Sequence, residues 1–459
     1  MDKCVIVKKV VSSRDICQIV MCENSFTFMK ILGHGLHGPS NPTEVFVHSS
    51  IRHQNVLSSK YVKFWTSQNI KSGVSMYLPV ATGDLVNVVL ETKNFTLSKR
   101  LAFAHQCVCG LYAIHEAGYL HLDVKPDNYV IVDGVCKITD FGYARKFDTN
   151  TRTVVLDTEN FGQKYITAAY RAPEIWKSTN ITTYSDKCDI YSLGHTLISV
   201  LTSNSLFDTS DKKLAEEIIT KSFANDLFLT ESVRNILSKS NIKSNTIQNL
   251  LVLMLNQDPA RRPDIYTILA SPLWKGMKKP DLPLVNNARQ VYPSKVLSYD
   301  TIDIDISTIV GLFKSKINYL PSICLFHAVD IYIFSVHMLE RLLTDMIELG
   351  RMYIVAASIW ISITTNYTED KRYYDLICES LNVYHTESLD HVICEMIAYN
   401  SSFPSTPFNK ASGQRDLKNL SEQYLTNSKL YIDVMNSKMT VNTQHDRSSK
   451  MILVKDLFS

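Results

Sequence analysis

The chain has 459 residues, 48 Lys+Arg against 45 Asp+Glu for a formal net charge of +3, 45% hydrophobic residues and only 15 glycines. That length and apolar content suit two or three domains with real cores and exclude a mainly disordered chain. Glycine at well under half the usual ~7% excludes collagen-like, Gly/Ser-linker and Gly-rich RNA-binding classes, and the near-neutral balance gives no global basic field, so no nucleic-acid partner is expected. The ten cysteines form no CxxC pair and have no clustered histidines; they read as reduced core thiols rather than zinc ligands or a disulfide framework. The opening MDKCVIVKKVV lacks a signal-peptide core, and the apolar stretch Ile317 to Leu339 contains Pro321, His327, Asp330 and His337. That stretch is expected to be a buried amphipathic helix, and the protein intracellular with no membrane partner.

In chain order, short β-type runs come first (Cys4 to Val11, Cys17 to Met21, Phe26 to Leu32), and helical patterns dominate after about Leu97. A strand-rich start and a helical body predict an α+β unit. Residues 277–308 lose helical periodicity and gain prolines and asparagines, which marks a domain boundary. A second helical block follows from about Ile309 to Phe408, and the last fifty residues read as a polar tail with one modest periodic segment, Leu420 to Met435.

The densest chemical signal is His121-Leu-Asp-Val-Lys-Pro-Asp-Asn128, followed after an apolar hairpin by Asp140-Phe-Gly142. Phosphoryl transfer to a hydroxyl needs an aligned acceptor, neutralised phosphate charge and magnesium held by hard oxygen ligands. Asp123 can accept the hydroxyl proton, Lys125 can touch the transferred phosphate, and Asn128 with Asp140 can ligate Mg²⁺. On these residues the chain resembles a eukaryotic-type protein kinase. The resemblance continues through Ala172-Pro-Glu174, Asp189-Ile-Tyr-Ser-Leu-Gly194 and DPARRP, where Arg262 is the expected partner of Glu174. It implies that Thr167 lies between Asp123 and Lys125, as in Ser/Thr kinases.

Upstream, Glu44 to Val56 is similar to the kinase C-helix and the turn after it, which selects Glu44 as the partner of a strand lysine, Lys30 in FMKIL. A literal GxGxxG, Gly33-His-Gly-Leu-His-Gly38, follows Lys30, whereas the phosphate loop of a kinase precedes its lysine. Taking it as that loop leaves no room for a C-helix, so it reads as a connection. The phosphate-loop position is then Ser12 to Cys17, without glycine, with Ile19 as an apolar roof and weaker ATP binding expected. The hinge looks like Leu78-Pro-Val-Ala81, with Leu78 as gatekeeper, the backbone of Ala81 available to adenine, and Asp84 near the ribose. Phe28, two residues before Lys30, implies a tighter nucleotide pocket. Leu122 replaces the arginine that receives an activation-loop phosphate in phosphorylation-switched kinases, so that switch is not expected.

TAAYRAPEIW, TYSDKCDIYSLG, the following Leu206-Phe207 and DPARRP are most similar to cyclin-dependent kinases. In the second block, Leu325 to Tyr332, Tyr353 to Glu369, Tyr384-His-Thr386, Glu395 and Pro404-Ser-Thr-Pro407 resemble the cyclin box, with Asn366 where cyclins carry a lysine that pairs with a glutamate, here Glu395. Kinase–cyclin fusions of this type are known among giant DNA viruses. The expectation is therefore an α+β two-lobed protein-kinase fold over 1–285 (lobes 1–80 and 81–285), a linker at 286–308, an all-α cyclin-like helical domain over 309–410 and a polar tail over 411–459. Its implied function is Mg²⁺- and ATP-dependent Ser/Thr phosphorylation of protein substrates, activated in cis by the cyclin-like domain or by a separate cyclin. The competing expectation, from the glycine-free phosphate loop and Phe28, is a pseudokinase scaffold that binds partner proteins.

Overall fold

The structure is a computed structural model that describes residues 5–402 except 11–15, 23–24, 33–41, 67–71, 91–94, 149–150, 158–166, 177–180, 207–210, 223–224, 286–298, 336–346, 369 and 385. The predicted GxGxxG connection, most of the phosphate-loop position, Pro404–Pro407 and the polar tail lie outside the described residues.

Strands β1 (Val5–Val10), β2 (Ile16–Cys22), β3 (Ser25–Leu32), β5 (Tyr61–Thr66) and β6 (Ser72–Leu78) form an antiparallel sheet in the order β1-β2-β3-β6-β5. The two-residue strand β4 (Ile51–Arg52) lies outside that sheet. The pairing Cys17↔Lys30↔Met76 and Ile19↔Phe28↔Leu78 fixes the register. Directly paired residues share a face, so Cys17, Ile19, Phe28, Lys30, Met76 and Leu78 look the same way. Helix α1 (Pro42–Ser50) is buried along its whole length. Such burial is unusual for nine residues that include Glu44 and His48, and both polar groups are partnered: Lys30 Nζ donates to Glu44 at 2.6 Å, and His48 Nδ1 donates to the Leu57 carbonyl at 2.5 Å.

The second lobe is built on α2 (Leu97–Glu116) and α4 (Lys187–Thr202), with the short strands β7 (Gly83–Asp84), β8 (Tyr119–Leu120), β9 (Tyr129–Val132), β10 (Val135–Ile138), β11 (Arg145–Lys146), β12 (Thr153–Asp157) and β13 (Ile181–Ser185). Helices α3 (Pro173–Trp176), α5 (Lys212–Glu217), α6 (Asp226–Lys239), α7 (Asn245–Met254) and α8 (Ile265–Leu269) complete it. Thr96 caps α2 by accepting from Lys99 N, and Ser244 caps α7 by accepting from Ile247 N. On β9, Tyr129 and Ile131 enter the core of this lobe, while Val130 and Val132 pack with the apolar residues of the first lobe. The strand's period of two thus gives one face to each lobe and makes β9 the floor of the cleft between them.

The third unit comprises α9 (Tyr299–Ser315), α10 (Ser322–Ser335), α11 (Ile347–Asn366), α12 (Lys371–Ser380) and α13 (Thr386–Ser402). Two expectations need correction here. The predicted linker 286–308 is shorter, because α9 begins at Tyr299; its periodicity is masked in sequence by Asp305, which is buried against Arg351 (2.6 Å) and accepts from the Tyr332 hydroxyl at 2.5 Å. The single helix expected over Ile317 to Leu339 begins only at Ser322, since Pro321 ends the preceding turn. Ala356, Ala357 and Ser358 are fully buried in α11, which lies against α10, α12 and α13, as small residues on a central helix require.

The helical unit does not stand apart. α11 and α13 pack against α1, α13 also lies along β5 and β6, and one continuous apolar cluster joins Val45, Phe46, Leu57 and Val74 to the helical core. The Thr43 hydroxyl at the start of α1 donates to the Thr365 carbonyl in the last turn of α11 at 3.4 Å. At the other end of α1, β14 (Leu284–Val285) pairs with β4, Leu284 opposite Arg52 and Val285 opposite Ile51.

One of the few glycines has a packing reason. A Cβ on Gly110, in α2, would sit 2.7 Å from the Asn55 carbonyl, the backbone group that accepts from Ile138 N and docks the turn after β4 onto the second lobe. Gly110→Ala should therefore lower stability by about 1–3 kcal/mol. Gly311→Ala, on α9 where a Cβ meets open space, should raise it by about 0.5–1 kcal/mol. Denaturant unfolding monitored by circular dichroism reads both signs, and equal losses would contradict the close approach at Gly110.

Candidate active site

The loop between β8 and β9 carries the predicted catalytic residues, and its backbone is held from below. Asp189 on α4, fully buried, accepts from His121 N and Leu122 N, each at 2.8 Å, and pairs with His115 Nε2 at 2.8 Å. Burial pushes the Asp189 carboxyl up, and these donors outweigh it and leave it below the usual carboxylate range. Leu122 takes a positive φ of 64°, a strained conformation for a branched-chain residue. The two amide bonds to Asp189 hold that conformation. The sequence motif Asp189 to Gly194 did not disclose this role; the signal available was an aspartate at the start of an otherwise apolar helix.

Above that anchor, Asp123 is buried and accepts four hydrogen bonds. Lys125 Nζ lies 2.7 Å from Oδ2 and Asn128 Nδ2 3.0 Å from it; Thr167 offers its hydroxyl at 3.1 Å and its amide at 3.3 Å to Oδ1. Lys125 Nζ also donates to the Thr167 hydroxyl at 2.7 Å. Thr167 therefore lies between Asp123 and Lys125, although it is 44 residues from Asp123 in sequence. Asn128 Nδ2 additionally donates to the Asp123 carbonyl at 2.8 Å. With its N–H groups committed, the Asn128 Oδ1 is the atom left to offer a cation.

Asp140 follows β10 in a left-handed conformation, φ 59°. Burial raises its carboxyl, but Lys30 first, then His121 and Lys125, outweigh that effect and hold it below the usual range, so it is ionised at neutral pH. The next residue, Phe141, is buried and meets the rings of His48 on α1 (4.6 Å) and His121 (5.4 Å) edge-on. Asp140 is thus locked between α1 and the loop of Asp123. One amide oxygen and one carboxylate, with no larger ligand cluster among the described residues, suit Mg²⁺, which keeps water and takes substrate phosphate oxygens as its remaining ligands.

The residues expected on the nucleotide side fall along the same cleft. Lys30 reaches Glu44 with 13% and 5% of the respective side chains exposed. Ile19 and Phe28 roof the cleft beside Leu78, and Ala81 and Val130 pack against the same apolar cluster. Thr82 N donates to Ile131 O at 2.8 Å, and β7 pairs with β9, so the hinge runs directly over the floor. Asp84 departs from a free ribose-facing carboxylate: it accepts from Asn87 N and Asn87 Nδ2, each at 2.8 Å. On the short helix α3, Glu174 receives the predicted bidentate pair from Arg262 (2.6 and 2.8 Å), which also donates to the carbonyls of Asn256 and Lys187, both at 2.8 Å. Glu395, expected opposite residue 366, instead approaches His391 at 4.0 Å, and Asn366 donates to His327 and to the Ser362 carbonyl.

A two-lobed α+β fold whose cleft carries a carboxylate held beside a lysine, a Lys–Glu pair, and Asn128 and Asp140 at its floor is the arrangement expected of the protein-kinase class. Residues 29–274, more than half of the chain, match the family described as "Protein kinase domain". The chain belongs to the eukaryotic-type protein kinase family. It is 27% identical over 262 residues to "Probable serine/threonine-protein kinase CCRP1" of Zea mays, covering 56% of this chain and 36% of that protein. It is 30% identical over 225 residues to the Wee1-like protein kinase of Arabidopsis thaliana (48% and 38% covered) and 27% identical over 256 residues to mitogen-activated protein kinase 14 of Oryza sativa subsp. japonica (50% and 45%). The chain thus spans less than half the length of these curated relatives. Among solved structures, MAP kinase LmaMPK10 from Leishmania major aligns with a TM-score of 0.47 at 16% identity, over 60% of this chain and 84% of that one. No helix among the described residues is long and apolar enough to cross a membrane.

Buried neutral histidines give the site region a pH signature. Burial lowers His48 and His195 from 6.5 to about 3. The folded chain therefore stays unprotonated at these positions while the unfolded chain takes up protons below pH 6.5, so their contribution to stability is complete above 6.5 and is lost as pH falls towards about 3. The melting temperature should drop on acidification through this window, and His48→Gln should remove about one proton from the uptake linked to unfolding. An unchanged pH slope in that variant would contradict the neutral, buried assignment.

Proposed function

We propose that the protein is a Ser/Thr protein kinase that transfers the ATP γ-phosphate to protein hydroxyls and that its helical unit serves as a cyclin-like activator in cis. The observation that carries the first part is the cluster of Asp123, Lys125, Asn128 and Thr167 facing Asp140 and the Lys30–Glu44 pair. In this reading Asp123 Oδ orients the acceptor hydroxyl and takes its proton. Lys125, already within 2.7 Å of Asp123, neutralises charge on the transferred phosphate, and Lys30 positions the α/β-phosphates. Asn128 and Asp140 would hold Mg²⁺, which when bound would neutralise charge on the polyphosphate. Retention of every one of these groups favours transfer over a pseudokinase scaffold.

The cis-activator part is supported by packing. In a kinase the lysine is competent only while its glutamate helix is swung inward, and here that helix lies against α11 and α13, with Thr43 bonded to the end of α11. The family match ends at residue 274, so the cyclin likeness rests on the sequence motifs and on this contact. A tether of some tens of residues gives an effective concentration near millimolar, enough for a weak contact to stay made.

Asp123→Asn and Asp140→Asn should each reduce phosphoryl transfer to a generic protein substrate by about 10³-fold or more, read by radiolabel incorporation. Transfer surviving either substitution would contradict the roles assigned to these carboxylates, and no transfer by the wild-type chain would favour the scaffold reading. Truncation after residue 285 should lower kcat/KM by about 10–100-fold, whereas equal activity of full-length and truncated chains would eliminate the cis-activator role.

A further inference from the structure

The base end of the cleft contains a residue whose position follows from the sheet register alone. Phe28 lies two residues before Lys30 on β3 and directly between Ile19 on β2 and Leu78 on β6. Because strand side chains alternate with period two, Phe28 points to the same side as Lys30, about 7 Å further along the strand. Lys30 marks that side as the cleft: its ammonium meets Glu44 and bears electrostatically on Asp140. Moving away from Lys30 along β3 leads from the phosphate-binding end to the hinge. Phe28 is half-buried and packs against the apolar cluster that also receives Ala81 from the hinge and Val130 from the floor.

A nucleotide whose phosphates meet Lys30 must place its base between this roof and Val130. The roof there is an aromatic ring beside two branched aliphatic side chains, Ile19 and Leu78, all facing downward. Such a roof takes volume from a two-ring base more than from a one-ring base. The phosphate end is unaffected, since Lys30, and Asp140 on which it acts, lie further along β3 from the hinge than Phe28.

We propose that Phe28 sets nucleotide selectivity by narrowing the base site, so that the triphosphate and its Mg²⁺ carry recognition and pyrimidine nucleoside triphosphates compete with ATP. The inference rests on the phosphotransferase reading for the identity of the ligand, and its test is binding, which needs no transfer. The probe is a fluorescent trinitrophenyl-ATP bound to the full-length chain with Mg²⁺, displaced in turn by ATP, GTP, CTP and UTP. Wild type should bind ATP and CTP within about tenfold of each other, and Phe28→Ala should tighten ATP relative to CTP by about tenfold or more, the discrimination that one apolar wall can supply. Phe28→Leu should fall between the two and guards against a fold effect of the larger truncation. An unchanged ATP:CTP ratio in both variants, or weaker ATP binding in Phe28→Ala, would overturn the assignment, the latter by showing that the ring stacks productively on adenine. Failure of every nucleotide to displace the probe would overturn both this inference and the kinase reading. A widened ratio together with no phosphoryl transfer would sustain the role of Phe28 and reject only the catalytic reading.

Discussion

Everything in the cleft depends on where α1 stands, because the 2.6 Å contact between Lys30 and Glu44 exists only while that helix is inward. A buried lysine–carboxylate pair is costly to form unless both groups are held in place, since desolvation offsets much of the attraction. Here three bodies hold the helix. Val47 belongs to the core of the second lobe, Val45 and Phe46 to the cluster shared with the helical unit, and Glu44 to the lysine of the sheet. His48 adds a fourth tie, bonding to Leu57 and touching Phe141, so Asp140, the neighbour of Phe141, is set by the same helix that sets the lysine. Two residues far apart in sequence, Lys30 and Asp140, are thus positioned by one element.

The loop of Asp123 shows a second economy. Its four acceptor bonds come from residues to which the proposed reaction gives further tasks: Lys125 towards phosphate, Asn128 towards the cation, and Thr167 between Asp123 and Lys125. Preorganisation of this sort costs nothing at the moment of reaction. Beneath it, Asp189 spends a fully buried carboxylate on two amides and a histidine, and so holds Leu122 at a φ that an unanchored chain would leave.

Much of this was legible in sequence, for a physical reason. Asp123, Lys125 and Asn128 lie within six residues, and the spacing of a short loop is itself a geometric statement. Arg262 with Glu174, 88 residues apart, was legible only through the likeness of APE and DPARRP to the kinase family. What sequence did not disclose were features made by distant pairing. The start of α9 at Tyr299 was hidden by Asp305, whose partner Arg351 is 46 residues away. The engagement of Asp84 by Asn87 was overlooked because two polar residues in a loop look solvated. The Asn366 replacement was noticed, but its actual partners, His327 and Ser362 within the helical unit, could be seen only once α10 and α11 were side by side.

The pairing of β14 with β4 ties a late part of the chain to the helix that carries Glu44. After Trp274 in the core of the second lobe, the chain is hydrogen-bonded ten residues later to the strand that directly follows α1, and Ile51 and Val285, opposite each other in that pair, both pack with the second lobe. The last turn of α1 is thus fastened to the second lobe by the segment that leads on to the helical unit, while its first turn is bonded to the helical unit itself through Thr43. A nine-residue helix held at both ends by distant parts of the chain owes its place to tertiary contacts rather than to its own length.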